Sequence, residues 1–170
     1  MRDFEQIWQE AERLWQADRD YWFFTVYTRY CAPILSELEI DTEAFSADPF
    51  AYGAHGQLPI RSRPREPEGE IALQAAQRLR CAGVEVCRGT LMPNHVHLLL
   101  SCPRGVPPKG VASAYKAAVT RARNRHYGQK LRRPLLDTHL LHPVSDVHEL
   151  REIFSYLQEN PTLRYYRGRK

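Results

Sequence analysis

Two histidines separated by one residue are the strongest chemical feature of the sequence. They lie in segment 92–100, which reads MPNHVHLLL, where a Pro-Asn break is followed by an apolar run typical of a β-strand. Side chains alternate between the two faces of a strand, so His95 and His97 share one face at a spacing of about 7 Å. Two imidazoles held in this way can converge on one metal ion. The same short pattern also occurs in strands with half-buried, hydrogen-bonded histidines, and the motif alone leaves both interpretations open.

A tyrosine and an asparagine near the end of the sequence form a second candidate pair. Tyr156 and Asn160 are four residues apart, so in a helix their side chains lie on one face. A phenol, with an ordinary pKa of about 10, is a weak nucleophile at neutral pH and needs activation or a polarised target. The non-catalytic alternative is a packing tyrosine followed by a helix stop, because the residue before Pro161 avoids the helical conformation. The competing tyrosines are Tyr115, Tyr127, Tyr165 and Tyr166.

Charge is distributed unevenly along the chain. The net charge is +4, yet residues 1–85 hold 9 basic and 15 acidic side chains, whereas residues 86–170 hold 15 and 5. Between Arg104 and Arg133 there are nine basic residues and no acidic one. A run of basic residues without acidic ones indicates that the protein binds a polyanion. Nucleic acid is a better candidate than a membrane surface, because no stripe of large apolar residues accompanies the run. The expected phosphate contacts are Lys116, Arg121, Arg123, Arg125, Lys130, Arg132 and Arg133.

Helices and strands alternate along the sequence and must position these residues. Apolar periodicity predicts helices over 3–19, 70–81 and 106–127, and a last helix capped by Asp146 and Glu149. Aromatic and β-branched runs predict strands at 21–28, 84–91, the histidine segment and 135–142. A short element, with helix as one option, follows Pro33, and residues 45–69 are predicted as a loop insertion. This order indicates an α+β fold, an antiparallel sheet with helices on one face and the other face open for a ligand.

The composition argues against membrane-spanning, secreted and zinc-finger proteins. No window approaches 18 consecutive apolar residues, so a membrane-spanning helix is not expected. The charged start of the chain does not read as a secretory signal. The four cysteines lack a Cys-x-x-Cys pair, which predicts reduced thiols in a cytoplasmic protein and no zinc finger. The 170 residues are expected to form one domain, residues 1–170, with an N-terminal helix within residues 1–20.

Three segments in order resemble the single-tyrosine HUH (His, hydrophobic, His) transposases, in the bacterial branch associated with repetitive extragenic palindromes (REP). They are WFFTV at 22–26, MPNHVHLL at 92–99, and Tyr156-x-x-x-Asn160-Pro161, so the resemblance covers the chain from about residue 20. It implies a ferredoxin-like or RRM-like antiparallel sheet with helices on one face. The acidic segment 1–20, the 45–69 loop and Thr162 depart from the common pattern of that family.

The resemblance also implies roles for individual residues. His95, His97 and Asn160 correspond to ligands of a divalent cation, and Tyr156 corresponds to the nucleophile that attacks single-stranded DNA. Mg²⁺ or Mn²⁺ is the expected cofactor, a Lewis acid that orients the scissile phosphate. The expected partner is single-stranded or hairpin DNA, bound by a monomer or homodimer in the nucleoid region of a bacterial cytoplasm. His142 matches a histidine that often precedes the last helix, and no role is assigned to it.

Two other functions fit the same residues. A domesticated relative would bind nucleic-acid hairpins without cutting them. A metal-dependent hydrolase would cleave a phosphodiester with water and form no covalent intermediate.

Overall fold

The computed structural model describes residues 4–47 and 60–159. Its helices and strands are, in chain order, α1 (Phe4–Leu14), β1 (Arg19–Thr28), β2 (Ser36–Ile40), α2 (Thr42–Ala47), β3 (Ile60–Pro64), α3 (Glu68–Gln77), β4 (Glu85–Leu91), β5 (His95–Pro103), α4 (Val111–Tyr127), β6 (Leu136–Val144) and α5 (Val147–Glu159). None of these helices combines the length and the apolar composition that crossing a membrane requires.

Four strands form one antiparallel sheet in the order β4–β5–β1–β6, and β2 and β3 form a separate two-stranded sheet. Within the larger sheet, α3 lies between β1 and β4 along the chain, and α4 lies between β5 and β6. This is the β-α-β-β-α-β order of a ferredoxin-like fold. The predicted α+β class with a ferredoxin-like antiparallel sheet is therefore confirmed.

Alternation along the strands gives the large sheet two different faces. On the core face, side chains such as Phe24, Val26 and Leu98 pack with α3 and α4, which contribute Ala72 and Tyr115. The opposite face, here called the histidine face, carries alternate residues of β1 and β5: Tyr21, Phe23, Thr25, Tyr27, His95, His97 and Leu99.

The histidine face is partly covered by two helices that the sequence analysis did not place there. α1 and α5 are amphipathic and bury Ile7, Ala11, Leu150 and Leu157 in one cluster with Tyr21 and Leu99 of the sheet. The prediction of helices on one face therefore describes α3 and α4 but leaves out α1 and α5. Their coverage leaves the other end of the face accessible, where Leu140 of β6 is 59% exposed.

Part of the predicted 45–69 loop is a strand, and the segment after Pro33 is a strand rather than a helix. β2 and β3 pair antiparallel from Ser36 opposite Pro64 to Ile40 opposite Ile60. Cross-strand ion pairs support this register, because Arg61 lies 2.8 Å from Glu39 and such pairs stabilise neighbouring strands. Pro64 ends the strand and so interrupts no further pairing. Residues 48–59 of the predicted loop lie outside the described residues.

Candidate active site on the histidine face

The two histidines lie in a central strand of the large sheet. β5 is hydrogen-bonded to β4 on one side and β1 on the other, so its backbone is held along both edges. His95 is opposite Tyr27 of β1, and His97 is opposite Thr25. The two imidazole Nε2 atoms are 3.0 Å apart. The alternation predicted from the sequence therefore brings both rings to a single point on the histidine face.

Each imidazole is oriented by a hydrogen bond at its other nitrogen. Nδ1 of His95 is 2.7 Å from Oδ1 of Asn94, and Nδ1 of His97 is 2.8 Å from Oγ1 of Thr25. An amide oxygen only accepts, so His95 carries its proton on Nδ1 and directs the Nε2 lone pair toward His97. The Thr25 hydroxyl can donate or accept, so Nδ1 of His97 has a partner in either tautomer. With its proton on Nδ1, His97 directs its Nε2 lone pair toward that of His95, which is the arrangement that a shared cation needs. Partners of this kind fix the ring orientation of metal-binding histidines.

Burial keeps both imidazoles neutral at physiological pH. Desolvation lowers the pKa of His95. Burial and the neighbouring His95 together lower the pKa of His97 to about 3. The neutral ring is the form that offers a lone pair to a metal ion.

The spacing of the two Nε2 atoms fits one divalent cation. Metal–imidazole bonds are about 2.0–2.1 Å long, and two such bonds at about a right angle place their nitrogens about 3 Å apart. The observed 3.0 Å therefore matches the separation expected of two neighbouring ligands of one cation. Within residues 4–47 and 60–159, no group of three or more His, Cys, Asp or Glu side chains could hold a metal. The predicted third ligand, Asn160, lies outside the described residues.

Tyr156 lies beside this pair, although 59 positions separate it from His97 in the sequence. Its ring centroid is 5.7 Å from that of His97, with the rings nearly perpendicular. Phe23 contacts both rings, because its centroid lies 4.9 Å from that of His97 in a stacked arrangement and 6.3 Å from that of Tyr156 in a perpendicular one. Tyr156 is nevertheless 47% exposed. Tyr156 is therefore accessible to solvent while its ring contacts His97.

The competing tyrosines lie elsewhere. Tyr115 is fully buried in the core, where its hydroxyl donates to the Ala72 carbonyl at 2.8 Å and burial raises its pKa. Tyr127 donates to a Glu68 carboxylate oxygen at 2.7 Å, at the far end of α4. Tyr165 and Tyr166 lie outside the described residues.

One further tyrosine at the site was missed by the sequence analysis. The ring centroid of Tyr27 is 5.3 Å from that of His95. The only sign in the sequence that Tyr27 belongs to this face is its position in the first strand, an even number of residues from Tyr21 and Phe23. Tyr27 is thus a second phenol next to the histidine pair and serves as the natural control for Tyr156.

The start of α5 is fixed by a network of hydrogen bonds. Oδ1 of Asp146 accepts from the Glu149 backbone N–H at 2.9 Å, as predicted for a helix cap. The Glu149 carboxylate accepts from the Ser145 backbone N–H at 2.6 Å and lies 2.5 Å from Nε2 of His142. These bonds lower the pKa of Glu149 to about 2. The sequence assigned no role to His142. In the structure it helps to anchor α5, the helix that carries Tyr156.

The acidic N-terminal helix holds the other flank of α5. Glu12 pairs with Arg151 of α5. Glu10 pairs with Arg88, whose guanidinium carbon lies 4.3 Å from the Phe154 ring centroid. Helical geometry places Arg151 and Tyr156 about 140° apart around the axis. α1 therefore contacts α5 on the flank away from the histidine pair and limits how far Tyr156 can retreat from it.

The predicted phosphate contacts are not brought into this site. All seven lie on α4 or just after it, and α4 packs on the core face of the sheet, opposite the histidines. Lys116 donates to the Asp137 carbonyl, and Arg123 lies 3.6 Å from Glu68 while donating to the Arg133 carbonyl at 3.1 Å. The remaining predicted contacts are exposed: Arg121, Arg125, Lys130, Arg132 and Arg133.

Comparison with known proteins gives remote structural matches only. No protein-family model and no curated protein matches the chain. The fold is similar to a REP-associated tyrosine transposase solved with a REP hairpin, at 17% identity and a TM-score of 0.46, over 84% of this chain and 66% of that one. It is also similar to a candidate transposase from Deinococcus radiodurans, at 18% identity and a TM-score of 0.39, over 88% and 95% of the two chains. These values are too low to transfer a function, so any assignment depends on the residues themselves.

Proposed function

We propose that the protein cuts and rejoins single-stranded DNA through a covalent tyrosine intermediate, acting at hairpin-forming sequences. The observation that carries this proposal is the contact of an exposed tyrosine, Tyr156, with His97, whose Nε2 lies 3.0 Å from that of His95. A structural tyrosine of a helix would be expected to pack into the core or face solvent away from such a pair. The proposed nucleophile and the two proposed metal ligands would therefore share one accessible surface.

The proposed step is a transesterification. The Tyr156 oxygen attacks the phosphorus of a phosphodiester, the phosphorus–O3′ bond breaks, and the phenolic proton is released as the 3′-oxygen gains one. The products are a 5′-phosphotyrosine and a free 3′-hydroxyl. Because one phosphodiester replaces another, attack by a 3′-hydroxyl can reverse the step and rejoin a strand.

His95 and His97 would hold the divalent cation, with Asn160 as the third protein ligand proposed from the sequence. A bound Mg²⁺ or Mn²⁺ would supply Lewis-acid stabilisation of phosphate charge. Thr25 and Asn94 hold the two rings in their ligand orientation. α1 and the capped start of α5 hold Tyr156 against the pair, so that the attacking oxygen is positioned before the substrate binds.

The distribution of charge fits a DNA hairpin spread over two surfaces. The open end of the histidine face would take the single strand, and the exposed basic residues on and after α4 would contact phosphates of the paired stem. DNA that reaches both surfaces would pass around an edge of the sheet. A non-catalytic hairpin binder would use the same basic surface but would not need the histidine pair.

Metal-dependent cleavage of a hairpin-bearing single strand tests the proposal. His95→Ala and His97→Ala should each lose most Mg²⁺- or Mn²⁺-dependent cleavage while remaining folded and binding the hairpin. His148→Ala, an exposed histidine in the first turn of α5, is the matched control and should cleave normally. Full cleavage by either site variant at low metal concentration would refute the ligand assignment. No cleavage by the parent protein would instead favour the binding-only alternative.

A further inference from the structure

The turn that follows β1 has an unusual backbone. Tyr30 has φ 57° and ψ 23°, and the next residue, Cys31, has φ 52°. Both angles lie in the left-handed region, which is unfavourable for residues other than glycine and is tolerated mainly by Asn and Asp. Two consecutive residues in this region persist only where neighbouring contacts impose the conformation, and such strain concentrates at functional sites.

Hydrogen bonds on both sides of the turn impose this conformation. The Thr28 hydroxyl donates to the Ala32 carbonyl at 2.7 Å, and the Arg29 N–H donates to the Leu135 carbonyl at 2.9 Å. The Tyr30 side chain gains no packing from this arrangement, because it is 80% exposed. The guanidinium carbon of Arg29 is 5.0 Å from its ring centroid. The turn therefore presents an aromatic ring, backed by a cation, to solvent.

The turn that carries Tyr30 lies next to the end of β5 at which His95 is located. The Thr28 N–H donates to the Asn94 carbonyl at 2.9 Å, and the side chain of the same Asn94 orients His95. Tyr27, three residues before Tyr30, contacts the His95 ring. The turn and the metal-binding pair are thus joined through Asn94.

We propose that Tyr30, with Arg29 beside it, stacks an unpaired base of the DNA strand whose phosphodiester lies at the histidine pair. This inference rests on the proposed function and adds a single-strand subsite to it. Stacking of a base on an exposed aromatic ring tolerates any sequence and is reinforced by a neighbouring arginine. The strained backbone then serves to display the ring, which explains why a bulky residue occupies a position suited to glycine.

Replacing Tyr30 with glycine distinguishes a side chain that binds DNA from one that only stabilises the turn. Tyr30→Gly removes the ring and relieves the left-handed strain, so thermal stability should stay the same or rise. Tyr30→Phe keeps the ring and serves as the matched control. Both changes are made in a Tyr156→Phe background, so that binding is measured without cleavage. The probes are a hairpin with a single-stranded flank that carries 2-aminopurine, and the same hairpin without the flank.

Tyr30→Gly should weaken binding of the flanked hairpin by about five- to 150-fold and abolish the quenching of 2-aminopurine. It should leave binding of the flankless hairpin unchanged, and Tyr30→Phe should bind both probes like the parent. Equal binding of the flanked hairpin by the glycine variant would overturn the inference, as would an equal loss on both probes. If the parent protein, with Tyr156 intact, cleaves DNA while the Tyr30→Gly variant binds the flanked hairpin normally, only the stacking inference fails. If the parent protein does not cleave and the Tyr30→Gly variant still loses binding of the flanked hairpin, only the transesterase assignment fails.

Discussion

Replacing Thr25 with valine should weaken metal binding without disturbing the packing of the sheet. Thr25 is 5% exposed, as is His97, and its hydroxyl is the partner of the His97 Nδ1 at 2.8 Å. Valine has nearly the volume of threonine, so the substitution removes the hydroxyl and leaves no cavity. The His97 ring then loses the partner that fixes its tautomer and orientation.

The expected loss of metal affinity can be estimated from the role of the Thr25 hydroxyl in orienting His97. Loss of a partner that orients a metal-binding histidine typically lowers metal affinity by about 10- to 100-fold, or about 1.4–2.7 kcal/mol. The buried Nδ1 of His97, left without a hydrogen-bond partner, should also lower the free energy of unfolding by about 1–3 kcal/mol. The metal-free protein should therefore remain folded but melt at a lower temperature.

Isothermal titration with Mn²⁺ measures the affinity, and thermal melting in a chelator measures the stability of the metal-free protein. Ser62→Ala is the control, because Ser62 is a buried hydroxyl in the two-stranded sheet without a hydrogen-bond partner among the described residues. The control should bind Mn²⁺ like the parent. An unchanged Mn²⁺ affinity in Thr25→Val would refute the view that the histidine pair is a preoriented metal site.

Three further predictions concern the DNA surface and the tyrosine helix. Replacing Arg121 and Arg125 together with alanine should reduce the slope of log affinity against log salt by about 1.4–1.8; an unchanged slope would move the phosphate contacts elsewhere. Glu12→Arg should slow formation of the covalent adduct by up to about fivefold without weakening DNA binding, and adding Arg151→Glu should restore the rate, whereas a swap that fails to restore it would argue against the pair as a positioning contact. Glu149→Gln should destabilise the protein by about 1 kcal/mol at pH 7; because the folded-state pKa is lowered from 4.5 to about 2, this loss should disappear as pH falls between these values, and equal urea midpoints for parent and variant at pH 7 would contradict it.

The local periodicities of the sequence predicted the strand and the helix that carry the candidate site residues. Alternation in β5 placed His95 and His97 on one face, and the apolar spacing of α5 gave the helix that carries Tyr156. Tyr27 was missed because it belongs to no motif, and only the strand register shows that it lies opposite His95. The proposed ligand Asn160 remains a prediction, since the described residues end at position 159.

The long-range arrangement was harder to predict, for physical reasons. The amphipathic pattern of α1 shows that one side must be buried, but many apolar surfaces could accept it. α1 packs on α5 through Ile7, Ala11, Leu150 and Leu157. Glu12 and Arg151 also pair there, and these residues are far apart in the sequence. The strands β2 and β3 were hidden by proline and by alternating charges, which form cross-strand ion pairs only once the two segments meet. The basic run was predicted to contact phosphates, but its position relative to the histidines could not be read from the sequence; α4 packs on the opposite face of the sheet.

Tyr156→Phe tests the central claim most directly, because it removes one hydroxyl and leaves the aromatic contacts of α5 in place. A hairpin-bearing strand labelled at its 5′ or 3′ end is incubated with protein and Mg²⁺ or Mn²⁺, and the products are separated on a denaturing gel. The parent, and Tyr27→Phe as its control, should retain only the label on the fragment 3′ of the cut. Tyr156→Phe should bind the hairpin normally and yield neither cleavage nor adduct. Cleavage that persists in Tyr156→Phe would contradict a tyrosine nucleophile at this position, and an adduct lost only in Tyr27→Phe would assign the chemistry to the other phenol.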